Sequence, residues 1–227
     1  MNNPTTKLLL LSRIKFPEIK LQTQDAHKLR GYFGNFFKEY SPLIHNHYAD
    51  GQLRYKYPLI QYKVVDNVPT LIGIEKGAEL LPQLFLKIKE LNIGGETFPI
   101  HTKNIETIQG IVGFSQDLVE YEFKTLWMAL NQKNHQIYQQ LHSQSEKKHL
   151  LNRMIVGNIL GFYSNIQLQL ETSERLMAKV EVHEKSTQFK LNTMIAFSGK
   201  FITNALLPDG IGLGKSVSRG FGTIKQL

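Results

Sequence analysis

Hydrophobic and polar positions in the first half of the chain follow the periods of strands and helices in turn. An apolar run over residues 8–19 predicts a strand, and apolar residues three and four apart from Ala26 to Tyr40 predict an amphipathic helix that ends before Pro42. The pattern then predicts two strands joined by an Asp66-Asn67 turn, a second helix and a short strand, in the ranges 54–65, 70–74, 77–91 and 107–114. This β-α-β-β-α-β order is that of a ferredoxin-like unit.

The second half of the chain nearly repeats this order. Its pattern predicts a strand, two helices, two strands, a glycine-rich loop and a last short strand, with the regular elements in 118–128, 131–141, 145–163, 176–183, 189–197 and 222–224. We therefore predict the α+β class, with two tandem ferredoxin-like (RRM-like) βαββαβ units. The predicted domains are residues 1–113, which carry a histidine site, and residues 114–227, which carry the glycine-rich loop.

The composition is that of a folded globular protein. The chain has 227 residues, of which 41% are hydrophobic and 20% are charged, and it has no cysteine. The lack of cysteine excludes disulfides, thiolate zinc sites and a cysteine nucleophile. The longest apolar run is far shorter than the ~20 residues of a membrane span, and the first residues lack a signal-peptide pattern. We expect a cytoplasmic protein with no membrane partner.

The net charge of +8 points to an acidic partner, with nucleic acid first among the candidates. Residues 1–113 carry 14 basic and 10 acidic side chains, and residues 114–227 carry 13 and 9, so each half has a net charge of +4. A basic surface must therefore be assembled by the fold. The alternative is that the charge only keeps the protein in solution.

Two histidines, His45 and His47, precede a stretch that contains Arg54, Tyr55 and Lys56. Histidine is the side chain best suited to move protons near neutral pH, and a loop between a helix and a strand is a usual place for such a residue. Exposed loop histidines without a role are one alternative. Zinc binding by the pair is another, although no further cluster at ligand spacing follows.

The segment 208–222 holds five glycines, two serines, Lys215 and Arg219. Glycines let a backbone approach a phosphate closely and leave N–H groups free to donate. The spacing before Lys215 is one residue short of a P-loop, and a helix is not expected to follow it. We predict a loop that holds a nucleic-acid backbone, with Lys215 and Arg219 on phosphates; a flexible loop without a ligand is the alternative.

Four segments of the chain carry a resemblance to a known family. They are residues 27–37, the histidine pair with residues 54–63, residues 71–77, and the glycine-rich segment 208–222, which is the most specific. In this order they resemble the sixth family of CRISPR-associated (Cas) proteins, the endoribonucleases that process repeat transcripts, and within it the b-type subgroup.

The resemblance implies two tandem ferredoxin-like folds and metal-independent cleavage of CRISPR precursor RNA within each repeat, with no cofactor. In such families the ribose 2′-OH attacks the adjacent phosphate and leaves a 2′,3′-cyclic phosphate and a 5′-OH. This chemistry needs a general base, a general acid and a cation near the reacting phosphate. CRISPR repeat RNA is the implied partner, and a second copy of the chain and effector-complex subunits are further partners that the resemblance allows.

The resemblance also assigns site residues. His47 matches the catalytic histidine best, His45 is the second match, and Tyr55 would orient the phosphate or assist proton transfer. Many relatives use a lysine as third partner, a role for which the sequence offers only the nearby cations Arg54 and Lys56. The predicted RNA-binding residues are Arg30, Arg54, Lys56, Gly212, Gly214, Lys215, Ser216 and Arg219.

Two other functions compete with the nuclease. One is a catalytically inactive RNA-binding subunit of a CRISPR ribonucleoprotein, since ferredoxin-like units are common RNA platforms. The other is a protein–protein scaffold without RNA. The histidine pair beside Tyr55 favours the enzyme, because a protein that only binds RNA would not need it.

Overall fold

The computed structural model describes residues 4–36, 57–189 and 192–227 of the chain. Two 3-10 turns, Thr23–Asp25 and Val217–Arg219, accompany the regular elements. In chain order these elements are β1 Thr6–Lys15, α1 Ala26–Phe36, β2 Ile60–Val65, β3 Val68–Ile74, α2 Lys76–Phe85, β4 Glu90–Ile93, β5 Glu96–Pro99, β6 Asn104–Phe123, α3 Gln132–Gln140, α4 Gln144–Asn165, β7 Ala178–Phe189, β8 Asn192–Leu206 and β9 Ile224–Gln226.

The chain divides into two compact units. The N-terminal unit contains the described residues of the range 8–110 and takes in Val217–Gly220 from the far end of the chain. The C-terminal unit contains the described residues of the ranges 4–7, 111–216 and 221–227. None of the helices in the described ranges combines the length and the apolar character that crossing a bilayer requires.

In the N-terminal unit the strand order is β2-β3-β1-β6, the ferredoxin-like order that the sequence predicts. β3 pairs antiparallel with both β1 and β2. The apolar face of α1 (Ala26, Leu29 and Phe33) is buried in one core with Tyr62 and Val64 of β2. Burial of each large apolar side chain contributes about 1.5–3 kcal/mol, which holds the helix on the sheet.

The predicted β2–β3 hairpin is confirmed. Asp66 and Asn67 both have positive φ, 51° and 64°, as the two central residues of a type I′ turn require, and Val65 pairs with Val68. The helix predicted to follow, over residues 77–91, is confirmed only in its first part, since α2 ends at Phe85.

Residues 90–93 form β4 instead, which pairs antiparallel with β5 in a small separate sheet. The Lys103 ammonium helps to end α2, because it donates to the carbonyl oxygens of Phe85 and Ile88. Ile88 and Leu91 are buried as the helical spacing suggested, although neither lies in a helix.

The C-terminal unit has the equivalent strand order, β9-β6-β8-β7. Both helices predicted for this half are present, and the buried stripe of α4 contains Leu150, Leu151, Ile155 and Ile159. As the sequence suggests, the connection from β8 to β9 is a glycine-rich segment and not an α-helix.

The predicted strand 107–114 and the first part of the predicted strand 118–128 lie in one continuous strand, β6, which ends at Phe123. The register of β6 with β8 shifts between Phe114 and Val119, so an irregularity interrupts the alternation of side chains that would otherwise identify a single strand. β8 is also longer than predicted, since it continues past residue 197 to Leu206.

Candidate functional site

The predicted catalytic residues fall in a part of the chain that the structure does not describe. His45, His47 and Tyr55, and the neighbouring cations Arg54 and Lys56, lie within residues 37–56, outside the described residues. Their roles stay predictions. The structure describes the elements on either side of this segment and the remaining predicted RNA-binding residues, and these define the candidate site.

Arg30 lies half-buried on α1, one helical turn after Ala26. Burial lowers the pKa of Arg30, and the nearby positive charge of Arg219 lowers it further. Burial raises the pKa of the Tyr62 phenol, and the positive charge of Arg30 partly offsets that rise. Tyr62 itself stacks on Phe33 of α1, with the ring centroids 5.9 Å apart. Because α1 packs against both the turn Val217–Arg219 and β2, Arg30 lies near both Arg219 and Tyr62, in agreement with these pKa effects.

The turn Val217–Arg219 reaches Arg30 because of the glycine that follows it. Gly220 has a φ of +94°, and a Cβ at this position would lie 2.5 Å from the Cβ of Ala26. Only glycine allows the chain to pass this close to α1 in this conformation. The contact at Ala26 places Arg219 beside the next turn of the helix, where Arg30 lies. The structure thus brings together two residues that the sequence predicted separately.

A third cation of this cluster, Lys63, was missed by the sequence-based prediction. Its side chain on β2 is fully buried, with 0% of its surface exposed, and its ammonium donates a 3.1 Å hydrogen bond to the Val217 carbonyl. Burial lowers the pKa of Lys63 to about 7. Lysine is almost never fully buried, so a lysine between Tyr62 and Val64 in an alternating strand is normally assigned to the solvent face. No signal in the pattern would have found it.

Arg30 on α1 and Lys63 on β2 therefore both lie near the turn that carries Arg219, within the N-terminal unit. Clustered positive charge raises the local concentration of anions, and guanidinium groups are suited to phosphate because their donors form a planar fork. We refer to these three residues together with Val217–Gly220 as the basic turn site. Its two guanidinium groups are chemically suited to an anionic partner.

The glycine-rich segment in the C-terminal unit differs from the expected phosphate loop. The N–H groups of Gly210, Leu213 and Lys215 donate to the carbonyls of Ile224, Gly222 and Met128, at 2.8, 2.9 and 3.0 Å respectively. The expectation that this segment leaves its N–H groups free is therefore wrong for these three amides.

The glycines of this segment allow close contact with other parts of the same unit instead. At Gly214, where φ is +92°, a Cβ would lie 2.7 Å from the Met128 carbonyl oxygen and 2.8 Å from Trp127 Nε1. Gly212 is buried and forms a bridge with Thr223.

The polar side chains at the end of this segment are more accessible. Lys215 is exposed, and Ser216 is half-buried with a positive φ of 56°. An exposed lysine whose backbone N–H is hydrogen-bonded to a carbonyl can still extend its side chain to a phosphate. The RNA-binding roles of Gly212, Gly214, Lys215 and Ser216 stay predictions.

In the described ranges, no group of three or more His, Asp or Glu side chains is arranged to hold a metal ion. His45 and His47 lie outside those ranges. Zinc binding by this pair therefore stays an alternative, as in the sequence analysis.

Comparisons with known proteins first define the structural class. The fold matches that of Csf5, a type IV Cas6 crRNA endonuclease, with a TM-score of 0.60 at 12% identity over 97% of this chain and all of that chain. At this low identity the match shows the fold alone, the tandem ferredoxin-like arrangement of Cas6-type proteins.

Closer relatives then define the family. Residues 8–110 match the Cas6b N-terminal domain and residues 113–227 match the Cas6b C-terminal domain. A crystal structure of Cas6b matches 97% of this chain and all of its own chain, at 35% identity and a TM-score of 0.92. The chain belongs to the Cas6b family.

Two further relatives fit this assignment. A crystal structure of the CRISPR RNA processing endoribonuclease Cas6b matches the same share of both chains, at 31% identity and a TM-score of 0.80. An uncharacterised protein of Methanocaldococcus jannaschii is 33% identical over 143 residues, which cover 63% of this chain and 95% of that protein.

Proposed function

We propose that this protein is a metal-independent endoribonuclease that cleaves CRISPR precursor RNA within its repeats and thereby produces mature guide RNAs in the cytoplasm. The observation that carries the proposal is family membership over both domains, together with 31% identity to a CRISPR RNA processing endoribonuclease along 97% of the chain. The basic turn site supports it, because an RNA-cleaving enzyme must first hold a polyanion.

The proposed reaction is a transesterification that uses no water as a reactant and requires no metal ion. A general base takes the proton of a ribose 2′-OH, O2′ bonds to the adjacent phosphorus, and the bond from phosphorus to O5′ breaks. The leaving O5′ takes a proton from a general acid, so that the products are a 2′,3′-cyclic phosphate and a 5′-OH. Histidine suits both proton transfers near neutral pH.

In this proposal His47 and His45 carry the protons and Tyr55 orients the scissile phosphate, as the family resemblance implies. Arg54 and Lys56 are the nearby cations that would offset negative charge as it develops on the phosphate. Arg30 and Arg219 bind a neighbouring phosphodiester, and Lys215 adds a contact from the C-terminal unit. Gly212, Gly214 and Ser216 shape the backbone that presents Lys215.

The direct test is incubation with transcripts of a CRISPR repeat from the source genome, followed by analysis of the product ends. We expect a cyclic phosphate and a 5′-OH, with cleavage unaffected by EDTA. His47→Ala should lose cleavage and keep RNA binding, whereas His142→Ala, at an exposed histidine between α3 and α4, should keep both. Loss of cleavage with EDTA and its recovery with Mg²⁺ or Zn²⁺ would refute the mechanism.

The second candidate is a catalytically inactive RNA-binding subunit of a CRISPR ribonucleoprotein. The basic turn site supports this candidate equally, because the positive charges of Arg30 and Arg219 would attract RNA whether or not chemistry follows. The same incubation separates the two candidates, since the inactive subunit would bind the repeat and leave it intact. Light scattering with and without RNA tests whether the chain forms the homodimer that the resemblance allows, and co-purification with effector subunits tests the larger assembly.

A further inference from the structure

The buried Lys63 is an unusual feature of the basic turn site. A buried ammonium is costly in free energy, and replacing it by an apolar side chain of similar length would remove that cost. A lysine that only filled space at this position would therefore be disfavoured. Its hydrogen bond to Val217 reaches from β2 to a turn more than 150 residues away in sequence, and Lys63 is the donor.

The Val217 carbonyl accepts two hydrogen bonds. One comes from the Lys63 ammonium at 3.1 Å and the other from the Gly220 N–H, at 3.3 Å, which closes the turn. In the chain, Arg219 lies between Val217, whose carbonyl is held by these bonds, and Gly220, which contacts Ala26. The position of the Arg219 backbone relative to α1 therefore depends on whether the Val217 carbonyl is held.

We propose that Lys63 is a positioning residue, which fastens the turn Val217–Arg219 to β2 and so sets Arg219 beside Arg30 as a paired site for one RNA phosphodiester. This inference rests on the proposed function and identifies what assembles its RNA-binding site. Lys63 does not touch the phosphate, since its side chain is fully buried; it acts through Arg219.

The hydrogen bond from Lys63 to the Val217 carbonyl, which we call the tether, is sensitive to pH. Burial lowers the pKa of Lys63 to about 7, so its ammonium gives way to an amine as the pH rises through that value. A charged donor forms a markedly stronger hydrogen bond than a neutral one. The described elements packed against β2 carry a small set of charged or titratable groups: His27, Lys28, Arg30 and Tyr32 of α1, Asp25 of the turn Thr23–Asp25, and Arg219 of the turn Val217–Arg219. Asp25 pairs with Lys28 at 2.7 Å, and Tyr62 is the neighbouring titratable residue on β2 itself. A bound phosphodiester beside the two arginines favours the ammonium form.

The experiment compares wild-type protein with Lys63→Met, and uses Lys103→Met as the matched control. Lys103 also belongs to the N-terminal unit and also donates to backbone carbonyls, those of Phe85 and Ile88, so its loss removes the same charge and a similar bond elsewhere. Hydrogen exchange of the Gly220 amide reports on the turn, and binding of a CRISPR repeat RNA reports on the site. Lys63→Arg, which keeps a charged donor at every pH, tests rescue.

We expect the Gly220 amide of Lys63→Met to exchange about tenfold faster than in wild-type protein, and RNA to bind about tenfold more weakly near pH 6. The difference in affinity should shrink towards about pH 9, where wild-type Lys63 is neutral. Lys103→Met should match wild type in both measurements, and Lys63→Arg should restore affinity without the pH dependence.

The inference fails if Lys63→Met binds RNA as tightly as Lys103→Met while the wild-type protein binds it. It also fails if Lys63→Met loses affinity for RNA while its Gly220 amide exchanges at the wild-type rate. If the wild type itself does not bind repeat RNA, the proposed function is overturned, and Gly220 exchange alone then decides whether Lys63 holds the turn. A measurement on the wild-type protein does not depend on whether any variant folds. In this protein, the protection of the Gly220 amide against hydrogen exchange should fall as the pH rises through about 7. Constant protection over that range contradicts the tether.

Discussion

Gly220 lies so close to Ala26 that a Cβ on the glycine would be 2.5 Å from the Cβ of the alanine. This contact joins the C-terminal segment of the chain to the first helix of the N-terminal unit. It leaves no room for a side chain, and the φ of +94° at Gly220 independently favours glycine. The contact is therefore a requirement for the proximity of Arg219 and Arg30.

Gly220→Ala should lower the free energy of unfolding by about 2–3 kcal/mol, because strain and a steric clash add at one position, and it should also weaken RNA binding. Gly95→Ala is the matched control. Gly95 has a φ of +89°, but a Cβ added there would meet nothing within 4 Å, so its substitution should cost only about 1 kcal/mol and leave binding unchanged. Urea denaturation and filter binding measure the two effects. Equal costs for the two variants would show that the Ala26 contact can relax.

Arg30 and Arg219 should act on RNA as a pair. Each single alanine substitution should weaken binding about tenfold and reduce the slope of log K against log salt by about one. Because both guanidiniums are proposed to contact one phosphodiester, the double variant should lose less than the sum of the single losses. Arg13→Ala is the control, since Arg13 forms an ion pair with Glu106. Strict additivity would indicate two separate phosphates.

Lys63→Met should be more stable than wild type at neutral pH, even as it binds RNA less tightly. The folded-state pKa of about 7 lies below the ordinary 10.5, so the unfolded chain binds more protons between these values, and wild-type stability rises with pH over that range. The advantage of the variant, on the order of a few kcal/mol below about pH 7, should therefore disappear towards about pH 10. Denaturation curves across this range measure it, and an advantage that does not change with pH would contradict the depressed pKa.

Lys215→Ala should weaken RNA binding and leave stability unchanged to within about 0.5 kcal/mol, because the exposed side chain has little packing to lose. Lys225→Ala removes the same charge from another exposed position of the C-terminal unit and should have a smaller effect on binding. Fluorescence anisotropy with labelled repeat RNA distinguishes them. Equal losses would mean that Lys215 contributes only through the net charge of the protein.

Much of the fold could be predicted because its signals are local. The spacing of Ala26, Leu29 and Phe33 defines the buried face of α1 within three turns, and the Asp66-Asn67 pair specifies a turn within two residues. The end of α2 was missed because its apolar spacing continues to Leu91, whereas Lys103 from a later segment binds the last carbonyls. β6 was divided in two because an irregularity interrupts its alternation.

The candidate site could be predicted only in part. Arg30 and Arg219 were selected for their charge, but nothing in either segment indicates that they meet, since the contact depends on Gly220 and Ala26. Lys63 was overlooked because burial of a lysine in a strand depends on what covers the strand. The glycines at 210–214 were assigned to phosphate binding because glycines allow close approach of a backbone with free N–H groups, whereas amides of this segment donate to carbonyls elsewhere in the chain.

The sequence by itself determined the two-unit order of the main helices and strands, the family and the residue types available for chemistry, because periodicity, turn residues and motifs act over a few positions. Only the tertiary structure decided which cations share a site and which lysine loses contact with water. It also decided which backbone N–H groups donate to carbonyls of the chain itself. These properties depend on distances between residues far apart in the chain. Such distances follow from packing, at Gly220 against Ala26 and at Lys63 beneath Val217, and not from any local pattern.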